Sequence, residues 1–442
     1  MSNIVLSTDS ELSKNVEMLT IVSNEDGDRQ IDMLGGLVQF DYYESVLNHT
    51  VKVECVVVDS GSALPTKDKK EAQSISEGLP LCGKETVFVK FRDINDNLVD
   101  LRLYVNKFTP IQSDSTIQFE LVSKEFIMNT GVKVMKRLDG AISQTVEDLV
   151  KVELGSEKKI DCELTSNHYN FIGNRKKPFY IIDFLSKHAV SSTNQEYGKT
   201  AGYFFYETSE GYFFKSIDGL LNQEKKASMI YNDTPDANGA RLPEGYTSKI
   251  HKYEKENFLN SNKKSMMGTY GSKLVLFDPF NSYYEERAIT IDDTEDGLKT
   301  AGENIKCHQN PEFAAINNIT RTIYQLTDRG TLPVGNTNEQ IKKSKQLRFD
   351  HKSIMVQSIM RYNQLFSYRY KIAIPFNLSI HAGDAIFVDF PKLSDGESDD
   401  VDKRSGGLYI ITDIRHRISI KGSFTYCNLI RDSFGRTGTP NR

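Results

Sequence analysis

Ile372-Ala373-Ile374, His381-Ala382-Gly383-Asp384, Ala385-Ile386-Phe387-Val388-Asp389-Phe390, Gly406-Gly407 and Leu408-Tyr409-Ile410-Ile411-Thr412-Asp413-Ile414 follow one another near the end of the chain. The segment from Ile372 to Phe434 decides the fold. Apolar residues recur at every second position, and glycine-containing turns separate the runs. Two further strands are predicted, Arg415 to Ile420 and Ser423 to Ile430, parted by Lys421-Gly422. Alternation of this kind belongs to short antiparallel strands with one buried face.

A weaker echo of this ending lies near the N-terminus. Leu101-Arg102-Leu103-Tyr104-Val105-Asn106-Lys107-Phe108 leads into a polar turn at Gln112 to Ser115. Thr116-Ile117-Gln118-Phe119-Glu120-Leu121-Val122 then closes on Ser123-Lys124-Glu125-Phe126. Tyr409 to Ile411, the turn at Lys421-Gly422, and Leu429 to Phe434 repeat that plan with longer spacing. Internal similarity implies one structural unit built twice, so two similar antiparallel β-barrels are expected.

Composition sets the outer bounds. A chain of 442 residues holds about two to four domains. Hydrophobic residues make up 38% and charged residues 26%, a globular balance. No apolar run approaches the roughly 18 residues of a spanning helix, so no stable membrane insertion is expected. Asp9 and Glu11 follow the first residues where a secretory signal would carry a basic segment and an apolar core. The net charge of -5 disfavours a dedicated nucleic-acid surface. Cys55, Cys82, Cys162, Cys307 and Cys427 are scattered singly, which describes neither a disulfide framework nor a zinc site. Cys55 and Cys427 fall in strand-like runs and read as buried thiols. The 24 Phe and 21 Tyr, without Trp, suit strand faces and interfaces.

The first unit also contains strand-like segments at Met18 to Val22, Leu37 to Tyr43, Val51 to Val58 and Thr86 to Arg92. Asp93-Ile94-Asn95-Asp96-Asn97 is a hairpin turn, since Asn and Asp tolerate left-handed geometry. Ser62 to Glu77 reads as an exposed loop. In the middle, Ile142, Val146, Leu149, Val150 and Leu154 form a helical stripe, and Pro178 opens a helix burying Ile181, Ile182, Leu185 and Ala189. Gly202 to Ile217 is an aromatic hairpin turning at Thr208-Ser209-Glu210-Gly211. Lys273-Leu274-Val275-Leu276-Phe277-Asp278-Pro279 reads as a strand. Ile316, Ile319, Ile323 and Leu326 have helical spacing, and a helix is predicted from Asp350 to Phe366.

The segment Ile372–Phe434 resembles the C-terminal barrel of tail-hub proteins of contractile-tailed bacteriophages. Phe40-Asp41-Tyr42-Tyr43-Glu44-Ser45-Val46-Leu47 and Leu79-Pro80-Leu81-Cys82-Gly83-Lys84-Glu85 resemble the opening of baseplate central hub subunits of T-even-type phages. The order helix, helix, aromatic hairpin is similar to the α/β domain inserted between the two barrels of such hubs. The expected fold is therefore α+β and β-dominated. The first β-barrel domain covers 1–127 and the α/β domain 128–245. The second barrel covers 246–291 and 367–442, with a helical insertion at 292–366.

Catalytic motifs are not evident: there is no His-Glu-x-x-His, Gly-x-Ser-x-Gly or P-loop. Cys307-His308 reads as surface loop, because adjacent residues do not face each other productively. His416, alternating with Arg415 and Arg417, is expected partly buried and hydrogen-bonded. Asp395, Glu397 and Asp399 have the alternate spacing of a calcium loop, but Asp400 replaces the needed glycine and Gly406 the closing glutamate, so a solvated hairpin loop is expected. Asp292 to Asp296 reads likewise. No catalytic, cofactor or metal residues are assigned.

The resemblance implies a structural virion protein of the tail baseplate, made in the host cytoplasm, and not an enzyme. It further implies a homotrimer, a hollow cylinder adapting the sixfold tail tube to the threefold spike. Its partners would be itself, the tail tube protein, the spike protein and other baseplate proteins, with DNA passing through the lumen without specific binding. Alternatives are a tail-associated cell-wall hydrolase, a receptor- or carbohydrate-binding tail module, or a hub of a related contractile injection system.

Overall fold

The alternating runs become strands in the computed structural model, which describes residues 15–24, 29–59, 64–65, 72–79, 81–111, 115–192, 201–231, 242–257, 260–279, 283–291, 299–303, 305, 312, 319–326, 351–392 and 401–440. The first half contains β1 (Val16–Val22), β2 (Leu37–Ser45), β3 (Lys52–Val58), β4 (Thr86–Arg92), β5 (Leu98–Ile111) and β6 (Thr116–Val122). They pair antiparallel in the order β2-β3-β6-β5-β4-β1. Leu19, Phe40, Tyr42, Val53, Cys55, Val89, Leu103, Phe119 and Leu121, drawn from all six strands through Phe91 and Val87 as well, share one apolar cluster. The sheet therefore curls round its own core. At the β4–β5 turn Asp96 takes the left-handed conformation, φ +64°, and Asp93 caps it by accepting from the backbone N–H of Asn95 and Asn97.

The middle unit follows with α1 (Lys124–Gly131), α2 (Ile142–Asp148), α3 (Pro178–Ser186), β7 (Tyr203–Thr208), β8 (Gly211–Ser216) and α4 (Ile217–Asn222). Ile142, Val146, Leu149, Val150 and Leu154 are all buried, though a π-helical turn over Leu149–Glu153 carries the stripe past the end of α2. Pro178 sits in the first turn of α3, where its missing N–H costs nothing. The aromatic hairpin pairs Tyr203 with Ser216 through to Thr208 with Gly211. The rings of Phe205 and Tyr212 stack across it at 5.3 Å.

The second half comprises β9 (Ala227–Tyr231), β10 (Lys252–Asn257), α5 (Ser261–Met267), β11 (Gly271–Asp278), β12 (Tyr283–Thr290), β13 (Arg321–Leu326), α6 (His351–Leu365), β14 (Tyr368–Pro375), β15 (Ala385–Asp389), β16 (Gly407–Ser419) and β17 (Gly422–Arg431). Its main strands pair in the order β10-β14-β17-β16-β15-β9. Numbered by their appearance in each half, the strands of both halves run 2-3-6-5-4-1. One difference stands out: β1 lies antiparallel to β4, whereas β9 lies parallel to β15.

Several expectations need correction. Neither half closes into a hydrogen-bonded barrel among the described residues. Instead β2 pairs with β16, Ser45 opposite Asp413 through Gln39 opposite Ser419, and the halves, with the short strands Gln30–Asp32 beside β1 and Ser248–Ile250 beside β9, merge into one 14-stranded sheet. Arg415 to Ile420 is no separate strand but the second half of β16. A bulge between Ile411 and Asp413 bends that strand so that it leaves one core and enters the other. Ile323 and Leu326 lie in β13, not in a helix. β13 pairs parallel with β11, which pairs with β12 in a separate three-stranded sheet outside the main one. β9, within the span expected for the middle unit, belongs to the main sheet. Part of Ser62 to Glu77 is ordered as a helical turn, Ile75–Gly78.

Candidate functional site

Within β2 the alternation Phe40, Tyr42, Glu44 carries a carboxylate onto the face that should be apolar. Glu44 is buried, and it accepts four hydrogen bonds from three parts of the molecule. Tyr42 Oη, from its own strand, lies 2.7 Å away. The Ser209 N–H at the tip of the aromatic hairpin lies at 2.9 Å. From the turn before β15 come the Ala382 N–H at 3.0 Å and His381 Nδ1 at 3.2 Å. Burial works against the Glu44 charge, but His381 and these donors outweigh it and hold the carboxyl down at about 2. Burial also opposes the charge on His381, yet Glu44 beside it lifts the imidazole to about 9. The two form an ion pair at the meeting point of both halves and the middle unit. Gly383 makes the approach possible: its φ is +91°, and a Cβ there would stand 2.1 Å from Tyr206 Oη.

Two more buried networks flank this one. Glu207 at the end of β7 accepts from the Val51 N–H at 3.0 Å and Ser123 Oγ at 2.6 Å, tying the hairpin to the first half. Lys158 bridges Glu207 at 2.5 Å and Glu125 at 2.8 Å. Burial disfavours the Lys158 charge, but the two carboxylates raise its pKa overall. On the other side Arg361 of α6 is fully buried between Asp218 of α4 at 2.8 Å and Asp432 at 3.2 Å. It also donates to the Lys299 carbonyl at 2.5 Å. Buried charges left unpaired cost far more than paired ones, so each network fixes how its elements sit.

The β2–β16 seam adds an outer layer. Arg415 grips Asp41 with two bonds, at 3.0 and 2.9 Å, and Arg417 donates to Gln39 at 2.6 Å. Further along the same face Lys52 pairs with Glu54 at 2.6 Å and Glu120 at 3.0 Å. The seam's outer face is thus a ladder of neutralised charges.

His416 is buried on the inner side of the seam, stacked on Tyr42 at 5.9 Å and bonded through Nδ1 to Thr425 Oγ1 at 2.9 Å. Burial pushes its pKa down to about 4, so it is neutral near pH 7. Cys307-His308, Asp292 to Asp296 and most of the Asp395–Asp402 loop lie outside the described residues. Asp402 itself caps a turn by accepting from the Arg404 N–H at 2.9 Å. Among the described residues no group of three or more His, Cys, Asp or Glu could hold a metal ion, and no helix is long and apolar enough to cross a membrane. A cleft of about 440 Å³ beside His381 is lined by Lys159, Asp161, Glu210, Lys215, Lys226 and Asp384, a mixture of signs that selects no ligand class. Sequence reading missed the three networks. Only Glu44 left a signal, as an acid in register with Phe40 and Tyr42.

A chain with this duplicated strand order and central α/β unit can be compared with known proteins. It is 21% identical over 405 residues to the "probable baseplate hub protein gp334" of Vibrio phage KVP40, covering 89% of this chain and 92% of that one. The chain is a homologue of a phage baseplate hub protein. The 43 kDa tail protein of prophage MuSo2 from Shewanella oneidensis shares the fold, with a TM-score of 0.51 at 10% identity over 95% of this chain and 98% of that chain. A tail protein from Neisseria meningitidis MC58 does so with a TM-score of 0.50 at 8% identity, over 94% and 96%. No family model matches the chain.

Proposed function

We propose that this chain is the hub subunit of a contractile-tail baseplate, three copies of which close a hollow ring between the sixfold tail tube and the threefold spike. The observation that carries the reading is the repeated strand order of the two halves, 2-3-6-5-4-1, joined edge to edge within one sheet. Three such chains offer six similar units, so a threefold body can meet a sixfold one. On this reading each half is an open, curled form of the same β unit. The first ends near residue 127, and the second begins at β9 rather than at residue 246.

A hub must transmit force without internal slippage. The Glu44–His381, Lys158–Glu207 and Arg361–Asp218 networks suit that task, since each joins units that a loose linker would let rotate. The ion-paired outer face of the seam suits a lumen wall, because neutralised charges neither bind nor strongly repel passing DNA. Light scattering on the purified chain should give the mass of three copies, and imaging should reveal a threefold ring with sixfold pseudosymmetry. A stable monomer, or a location away from the tail axis in imaged particles, would overturn the reading.

A further inference from the structure

We infer that neighbouring copies join by adding β10 of one chain to the exposed C-terminal half of β5 of the next, repeating the β2–β16 pairing between chains. This rests on the trimeric reading above and specifies which surfaces meet.

The inference comes from equivalent edges in the two halves. In β16, residues 407–410 pair with β15. Beyond the bulge, residues 413–419 on the same edge receive β2. In β5, residues 98–104 pair with β4, and the bulge falls between Val105 and Lys107. Past it, no described strand occupies that edge over residues 107–111, and Lys107, Thr109 and Ile111 are exposed. The counterpart of β2 in the second half is β10: β2 lies outside β3 as β10 lies outside β14. Among the described residues β10 pairs along one edge only, and Lys252, Glu254 and Glu256 are exposed. Among the described residues each chain therefore presents a vacant acceptor edge on β5 and a vacant donor edge on β10, the heterologous pair a closed ring requires. Unpaired edges of this kind recruit a further strand.

The bulges fix the register. Glu120 faces Lys107 as Asn428 faces Asp413. Following pairing partners outward, Glu54 faces both Glu120 and Asp41, and Lys371 faces both Asn428 and Glu254. Glu254 thus stands where Asp41 stands, and Ile111 where Arg417 stands. Arg417 is opposite Asp41 within the chain, so Ile111 falls opposite Glu254 of the neighbour, with Lys107 on the side of Glu256. Pro110 lacks an N–H, so this seam holds fewer backbone bonds than β2–β16.

The test joins Ile111→Cys with Glu254→Cys in a chain also carrying Cys82→Ser, Cys162→Ser and Cys307→Ser. Cβ atoms of opposed residues lie about 4.5–5.5 Å apart, close enough for a disulfide after small adjustment. Mild oxidation should give a ladder ending at three chains on a non-reducing gel, collapsing on reduction, while each single cysteine variant stays at one chain. A trimer by light scattering that does not cross-link overturns this seam and leaves the trimeric reading standing; a monomer that does not cross-link overturns both. Polymers longer than three chains overturn ring closure. A charge swap tests the same contact without disulfide chemistry. Ile111→Glu, facing Glu254, should weaken association on the order of tenfold, and adding Glu254→Arg should restore it. Failure of the second change to restore association would also overturn the seam.

Discussion

At the scale of single residues, two histidines near Glu44 are shifted in opposite directions from 6.5. Folded His416 refuses a proton until about pH 4, while the unfolded chain takes one near 6.5, so stability falls as pH drops through that window. His381 keeps its proton up to about 9, so its contribution is complete below 6.5 and is lost as pH rises toward 9. Glu44 adds a further loss between 4.5 and about 2. The melting temperature should therefore peak near pH 6.5, and thermal scans from pH 4 to 9.5 will check it; a midpoint still rising at pH 9 contradicts the assignment. His381→Ala should remove the alkaline fall and cost about 3–5 kcal/mol in urea unfolding, because Glu44 stays buried without its partner. Arg361→Met should cost a similar amount. Adding Asp218→Asn and Asp432→Asn should recover part of it, since the remaining charges are then gone.

Among the elements, the hairpin β7–β8 depends on Gly211. Its φ is +136°, and a Cβ would lie 2.3 Å from the Lys159 carbonyl oxygen, which accepts the Tyr212 N–H. Gly211→Ala should destabilise the chain by about 1–3 kcal/mol, read as a lower urea midpoint with an unchanged slope. Elements whose pattern is local were legible. Thr86–Arg92 and Thr116–Val122 match the alternating runs residue for residue. β16 was misread as two strands because the bulge near Thr412 breaks the period of two. Ile323 and Leu326 have helical spacing, yet the strand Gly271–Asp278 captures them as a parallel neighbour.

For the whole molecule, the merged sheet couples the halves. Ile414 of β16 packs in the second core and Ile418 in the first, so neither core can melt without disturbing that strand. Calorimetry should give one transition for both halves, and two separated transitions would mean the seam transmits no cooperativity. Arg415→Ala, which leaves Asp41 buried without its bidentate partner, should begin to split that transition.

The order of strands and turns, the β-dominated class, the aromatic hairpin and the burial of Cys55 and Cys427 were set by the sequence alone, since each follows from periodicity over fewer than about a dozen residues. Which strands meet was not. Asp41 and Arg415 stand 374 residues apart in the chain, and no local pattern records that they face each other. The buried charges at Glu44, Lys158 and Arg361 are tolerable only because folding delivers their partners from elsewhere, so only the tertiary structure could turn two similar halves into one continuous sheet.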